Sequence, residues 1–263
     1  MAEPIRVALA GATGRTGSAV GRAILAADDL LLVAALAKTH VGQHLGALWG
    51  EEAVDLTVMA TVGDAATQYP TVLVDFTDPE SAYPRLLDAV DRGWSIVVGT
   101  TGFSRIQREE LARRTERQGV AAALIANFSV GAWLSERMAM EAAKFFPDAE
   151  VVEAHHAAKR DRPSGTALRM ASLLATATRR DPDSIPVHSV RLPGLVAHQT
   201  VMFGAAGQVL TIRHDVHDRS AYAAGVLAAI RRLPALAGRM VESLDDLMPP
   251  ANPPGDVGRP PAR

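Results

Sequence analysis

Residues 5–21 read IRVALAGATGRTGSAVG, and the reading of this stretch decides the fold. IRVALA is a short, almost uniformly apolar run, as expected of a strand buried on both faces. Gly11, Gly14 and Gly17 then stand three residues apart, ahead of the helix-patterned RTGSAVGRAILAA. Glycine is required where a backbone turns tightly and lies close against a pyrophosphate, and the helix start beyond offers free amides and a positive dipole end to that anion. Glycines at this spacing are weak evidence alone. Directly after the first strand of a strand–helix series they are much stronger.

Such a series follows. LLLVAALA (30–37), TVLVDFT (71–77), SIVVGTT (95–101) and VAAALIANF (120–128) read as further buried strands, with helical patterns around SAYPRLLDAVDRG and RIQREELARRTERQG. Pro84 is tolerable only in a helix's first turn. Segment 38–70 is less regular and reads as loop with one strand near Leu56. This alternation predicts an α/β fold with a Rossmann-like parallel sheet covered on both faces, a dinucleotide-binding domain. The pattern changes after Asn127: a helix over roughly 130–146 by its periodicity, the strand EVVEAHH, the helix TALRMASLLATATRR, and then VHSVRL, LVAHQTVMFG and QVLTIRHDV in close succession. Strands this close predict a smaller α+β domain with a mixed or antiparallel sheet. A last helix, RSAYAAGVLAAIRRL, returns to the first domain, and the proline-rich tail from about 249 is expected to be disordered. The expected division is therefore 1–127 with 219–263 for the dinucleotide, and 128–218 for substrate and self-association.

Composition narrows the partners. A formal net charge of −2 over 263 residues lacks the basic excess of a nucleic-acid protein. With no cysteine there is no disulfide and no thiolate metal site. The start MAEPIRVALAG has no basic region followed by a long apolar run, and no apolar run reaches a membrane span. These features lead to the expectation of a cytoplasmic protein without nucleic-acid or membrane partners and without a metal.

The second strand ends Ala35-Leu36-Ala37-Lys38-Thr39-His40. A carboxylate there would hold the ribose 2′-hydroxyl of NADH. In its place Lys38, with Arg15 from the glycine loop, would face a 2′-phosphate, which favours NADPH over NADH; a solvated strand-end lysine is the other reading. Two more turns, with Gly99, Thr100, Thr101 and Gly102 and with Asn127, Phe128 and Ser129, stand where strands of such a sheet end and would line the nicotinamide end.

EAHHAAKRDRPSGTAL (153–168) carries the chemistry. His155 and His156, coming off a strand, would face opposite ways and take separate roles. Lys159 offers a cation to a carboxylate, and the helix opened by Pro163-Ser164-Gly165-Thr166 adds a second anion site. With a histidine titrating near neutrality beside it, the cluster suits acid catalysis on a carboxylated substrate. A zinc site fits poorly, because no cysteine and no third ligand accompany the histidines.

Taken in order, GATGRTG, VDFT, VVGTTGF, ANFSVGA, EAHHAAKRDRPSGTA, VRLPGLVAHQTVMFG and LTIRHDVHDRSAYAAGV resemble the dihydrodipicolinate reductases (4-hydroxy-tetrahydrodipicolinate reductases) of bacterial lysine and diaminopimelate biosynthesis, in particular their actinobacterial branch. The resemblance spans nearly the whole chain up to the tail. It implies nicotinamide-dependent reduction of a cyclic unsaturated imine dicarboxylate, with His155 as proton donor and Lys159 as second donor. It also implies that His156, Lys159, Gly165 and Thr166 hold the substrate carboxylates. Gly11, Ala12, Thr13, Gly14, Arg15 and Thr16, Gly99 to Thr101, and Ala126, Asn127 and Phe128 would hold the dinucleotide. A homotetramer is implied as well.

Departures from the family pattern lie in the surroundings of these groups and in a short stretch between Ala167 and Val187. The family usually has a carboxylate at Ala37, and where members commonly read His-His-Arg-His-Lys or His-His-Pro-His-Lys this chain reads His-His-Ala-Ala-Lys, followed by Arg160 and Arg162. The donor, the lysine and the helix start are retained. A reductase of the same fold acting on another cyclic imine or unsaturated amino acid is therefore the first alternative, and a non-catalytic dinucleotide sensor the second.

Overall fold

The computed structural model describes residues 3–181 and 183–248; the tail expected to be disordered lies outside the described residues. Seven strands form one all-parallel sheet: β1 (Ile5–Ala10), β2 (Leu30–Leu36), β3 (Val58–Met59), β4 (Val72–Asp75), β5 (Ser95–Val98), β6 (Ala122–Leu124) and, from the far end of the chain, β11 (Met240–Val241). Their spatial order is β11-β6-β5-β4-β1-β2-β3. The chain reverses direction across the sheet between β1 and β4, so a crevice opens outside the carboxyl ends of these two strands. Helices α1 (Arg15–Leu25), α2 (Leu45–Trp49), α3 (Val62–Ala66), α4 (Pro79–Asp91) and α5 (Arg105–Gln118) belong to this half. As expected of a sheet covered on both sides, Val7 and Leu9 of β1 enter one apolar cluster and Ala8 and Ala10 the other.

A second sheet of four strands, in the order β10-β9-β7-β8, contains β7 (Asp148–His155), β8 (Val187–Arg191), β9 (Ala197–Ala205) and β10 (Gln208–Val216). β7 and β8 are parallel and the other two pairings are antiparallel, so the sheet is mixed. Helices α6 (Val130–Ala142) and α7 (Gly165–Thr178) cover one face, where Ala139, Met170 and Leu174 meet Val151, Val201 and Phe203. Helix α8 (Ala223–Arg232) returns to the first sheet and buries Val226, Ala229 and Ile230 in the cluster that holds Val7 and Leu9.

Several sequence expectations are corrected. Segment 38–70 folds more than its pattern suggests: it holds α2, β3 and α3, with the strand two residues beyond Leu56. Elements this short carry too little periodicity to be read. Pro84 lies inside α4, past the first turn, because the helix begins earlier, at Pro79, with Asp78 accepting from the Ser81 amide as its cap. Pro84 is on the exposed side of the helix, where it removes one amide donor and its ring crowds the carbonyl four residues before it. Helix α6 stops at Ala142 rather than near 146, and the 120–128 run contributes only three strand residues. The edge strand β11 was not anticipated.

α1 meets the sheet almost backbone to backbone. A Cβ on Gly17 would lie 2.0 Å from the Gly11 carbonyl oxygen, and Gly11 itself has a φ of +81°. Gly17→Ala is expected to destabilise the fold by an amount at the upper end of about 1–3 kcal/mol, the range for overpacking, measured as a lowered urea midpoint without loss of secondary structure in the remaining folded fraction.

Candidate active site

The glycine turn after β1 opens α1 without any side-chain cap. The first helical bond runs from the Ser18 amide to the Gly14 carbonyl at 2.9 Å, so the amides of Arg15, Thr16 and Gly17 have no partner within the helix. The turn is braced from behind by the irregular segment: the Trp49 indole N–H donates to the Ala12 carbonyl at 3.0 Å, over the flat face that Gly21 leaves open. Just after β5, Gly99 sits where a Cβ would lie 2.1 Å from the Phe76 ring. A bare helix start beside a turn with no room for a Cβ at Gly11 or Gly17 fits a dinucleotide pyrophosphate.

The loops after β4 and β5 are tied by Asp75, which is fully buried. It accepts from the Thr77 amide and hydroxyl (3.0 and 2.7 Å) and from the Thr100 hydroxyl (2.9 Å), and pairs with Arg85 at 2.6 Å. The Thr100 side chain is thus spent on Asp75 and turned away from the crevice, leaving only its backbone for a ligand. Thr101 is exposed beside it. Lys38, at the end of β2, forms an exposed pair with Asp78 at 3.1 Å, and Arg15 is exposed at the head of α1.

A cavity of about 330 Å³ lies between the two sheets. From the first half it is lined by Thr16, Phe76, Gly99, Ala126, Asn127 and Phe128. From the second half come His155, His156, Lys159 and Thr166. The structure therefore brings together groups that the sequence spreads over 150 positions. Gly165 and Thr166 open α7 at the margin of a smaller adjoining cavity that Asn127 also lines. Ser164 is buried and its hydroxyl accepts from the Ala167 amide at 3.3 Å, so it acts as the helix cap. Gly11, Ala12, Thr13, Gly14 and Lys38 lie outside the cavity lining, along the edge where β1 and β2 end.

The expectation that His155 and His156 face opposite ways is corrected. β7 ends at His155, and a turn closed by the Lys159 amide on the His156 carbonyl (3.0 Å) brings both rings to the same cavity. His155 Nδ1 is 2.5 Å from Glu153 Oε2. A carboxylate only accepts, so Nδ1 carries the proton and Nε2 is the ring nitrogen left for the cavity. Glu153 is completely buried and forms a two-point pair with Arg191 at 2.7 and 2.8 Å. Arg191 also donates to the Asp161 carbonyl at 2.6 Å, while Lys159 pairs with the Asp161 carboxylate at 2.9 Å.

The electrostatics follow from this arrangement. Burial works to raise the Glu153 carboxyl, but hydrogen bonds from Arg191, Ser189 and His155 outweigh it and hold the group at about 2. Burial lowers His155 below its ordinary value, further assisted by Lys159 and Arg191, and the Glu153 carboxylate offsets this only in part. The free imidazole is therefore mostly neutral near pH 7. An anion bound beside it would favour the protonated form.

Sequence reasoning missed Glu153, Arg191, His198, Gln199, His214, Arg219 and Tyr222. The last five line the cavity, and their strands and loops gave no pattern that points there. Glu153 did leave a signal: it continues the alternation of the buried Ala149 and Val151, so a carboxylate falls on the core face of β7.

Fold and site together define a nicotinamide-dinucleotide-dependent oxidoreductase. Residues 5–128 match the family model described as dihydrodipicolinate reductase, N-terminus, and residues 131–248 match that of its C-terminus. The chain belongs to the dihydrodipicolinate reductase family. It is 39% identical to the 4-hydroxy-tetrahydrodipicolinate reductase of Synechococcus elongatus over 94% of this chain and 100% of that protein. It is 40% identical to the enzyme of the same name from Moorella thermoacetica over 94% and 99%. A dipicolinate-bound dihydrodipicolinate reductase from Paenisporosarcina sp. TG-14 superposes with a TM-score of 0.79 at 30% identity, over 93% of this chain and 100% of that one.

Because Glu153 is depressed from 4.5 to about 2 in the fold, it contributes stability that is complete above pH 4.5 and lost as pH falls toward 2. Glu153→Gln is expected to flatten the decline of stability between those values, read from urea midpoints across the acid range.

Proposed function

We propose that this protein is a 4-hydroxy-tetrahydrodipicolinate reductase, converting that cyclic imine dicarboxylate to tetrahydrodipicolinate in lysine and diaminopimelate biosynthesis. The observation that carries this reading is the cavity in which the ends of the dinucleotide-type sheet meet His155, His156, Lys159 and the start of α7. A bound nicotinamide dinucleotide supplies the hydride. The chain's own residues bind, orient and protonate. Lys159 and the amides at the start of α7 hold substrate carboxylates, with Lys159 exchanging its partner Asp161 for one of them. Their charge raises the affinity of His155 for a proton, and Nε2 delivers that proton to the reduced substrate. Ala157, Ala158, Arg160 and Arg162 stand beside this apparatus without replacing any part of it, and all four are exposed. That leaves the substrate class of the family unchanged.

NADPH is the preferred cofactor in this reading, and NADH is used less well. The support is the absence of a carboxylate at the end of β2 and the presence there of Lys38, whose exposed pair with Asp78 is weak enough to yield to a 2′-phosphate. Self-association is proposed through the second sheet and the apolar surface beside it, where Phe145, Val209 and Leu210 are exposed. No helix among the described residues is long and apolar enough to cross a membrane.

The assay follows cofactor oxidation with NADPH and NADH in parallel, generating the substrate in place from pyruvate and aspartate semialdehyde with a dihydrodipicolinate synthase. Substrate-dependent NADPH consumption is expected; binding of cofactor without turnover would redirect the search to other imines. His155→Ala should lower kcat by about 10²–10⁴ with little change in cofactor affinity, the range for loss of a general acid. Lys159→Ala should raise KM for the substrate and also lower kcat. Lys38→Ala should weaken NADPH about tenfold, the equivalent of about 1.4 kcal/mol, and leave NADH nearly unaffected.

A further inference from the structure

We infer that Glu153 is the positioning residue of this site: its buried carboxylate fixes which nitrogen of His155 faces the substrate and, through its hydrogen bonds, fixes that ring relative to the anion-binding start of α7. The inference rests on the proposed role of His155 as proton donor. Both oxygens of Glu153 are engaged, and the Ser189 side chain is a further hydrogen-bond partner of the carboxylate. Oε2 meets His155 Nδ1 at 2.5 Å and Arg191 at 2.8 Å. Oε1 meets Arg191 at 2.7 Å and the amide of Ser164, the residue that caps α7, at 3.3 Å. With Arg191 also holding the Asp161 carbonyl, the loop that bears Lys159 is pinned from the same point.

A purely structural ion pair would not need this arrangement. Glu153 and Arg191 side chains are 0% and 1% exposed, and an ion pair so far from water is seldom a net gain in stability over apolar packing of similar volume. Its chemical consequence is specific. Nδ1–H is held by an anion, so the neutral ring presents Nε2 as an acceptor and the charged ring presents it as a donor, and the carboxylate favours the charged ring. Lys159 on the loop and Arg191 on β8 also act on the charge of the imidazole, and the same cavity is lined by His156, by His198 on β9, by His214 on β10, and by Arg219 and Tyr222 beyond it. Asp161 is engaged with Lys159. Glu153 is the one carboxylate touching the ring among the described residues.

The test is the pH dependence of kcat in Glu153→Gln, where glutamine can still accept from Nδ1–H but carries no charge. The limb on which activity falls with rising pH should move to lower pH by about 1–3 units, the range for removing a contacting opposite charge, while KM for the substrate changes far less than kcat at pH 8. A lowered kcat with that limb unmoved would overturn the inference and leave Glu153 as scaffold. Because Glu153→Gln strands Arg191, the double variant Glu153→Gln with Arg191→Gln provides a neutral buried pair should the single variant fail to fold; a smaller shift in the same direction is expected of it, since Arg191 itself disfavours the charged ring. Independently of activity, selective ¹⁵N-histidine NMR of the unaltered enzyme should show the neutral His155 protonated at Nδ1; protonation at Nε2 would sink the inference. Full activity in His155→Ala would instead defeat the proposed role of His155, and the NMR result would stand apart from it.

Discussion

The contact between the Gly11 carbonyl and the backbone of Gly17 is the constraint on which the dinucleotide half depends. With no side chain at either position, α1 can begin directly against the end of β1, and its unpaired first-turn amides are delivered to the crevice where strand order reverses. Any Cβ at Gly17 would force the helix outward and carry those amides with it. Trp49 then closes the back of the turn by donating to Ala12, which gives a physical reason for the compact irregular segment between β2 and β4.

Both sheets end at the cavity on the same device, a wholly buried carboxylate paired with an arginine. Asp75 with Arg85 binds the loops after β4 and β5 into one unit through Thr77 and Thr100. Glu153 with Arg191 binds the end of β7 to the end of β8, to the loop that bears Lys159 and to the cap of α7. Losing one member of such a pair leaves a charge stranded in the interior, typically at a cost of about 3–5 kcal/mol. The geometry of a cleft built from loops is in this way held by groups that do not themselves line it. The two arginines differ in where they come from: Arg85 is ten residues from its partner, Arg191 thirty-eight.

The parts of the site that were legible in the sequence are those with a local reason for their residue type. The glycine turn, the helix opened after Pro163 and the lysine beside that helix start each follow from backbone chemistry within a few residues. Thr100 shows the limit of such reading. Its place in a strand-end turn suggested a ligand contact, yet its hydroxyl serves Asp75, a partner 25 residues away. Pro84 shows another: a helix start two residues earlier moved it out of the first turn. The short elements α2, β3 and α3 were invisible because they hold their shape by packing against the sheet, with too few residues for a period to emerge.

By itself the sequence determined the order of the longer strands and helices, the parallel character of the first sheet, the position of the glycine turn and the family, since these rest on hydrophobic period, glycine geometry and contiguous motifs. It also placed His155, Lys159 and the start of α7 in one neighbourhood. The tertiary structure alone decided that both histidines share one cavity, that Arg191 reaches Glu153, that His198, Gln199 and His214 complete the wall, and that residues 240–241 add the last strand to the first sheet. These are relations between segments distant along the chain. They depend on where folding sets one strand end against another, and no period or spacing within a segment encodes that.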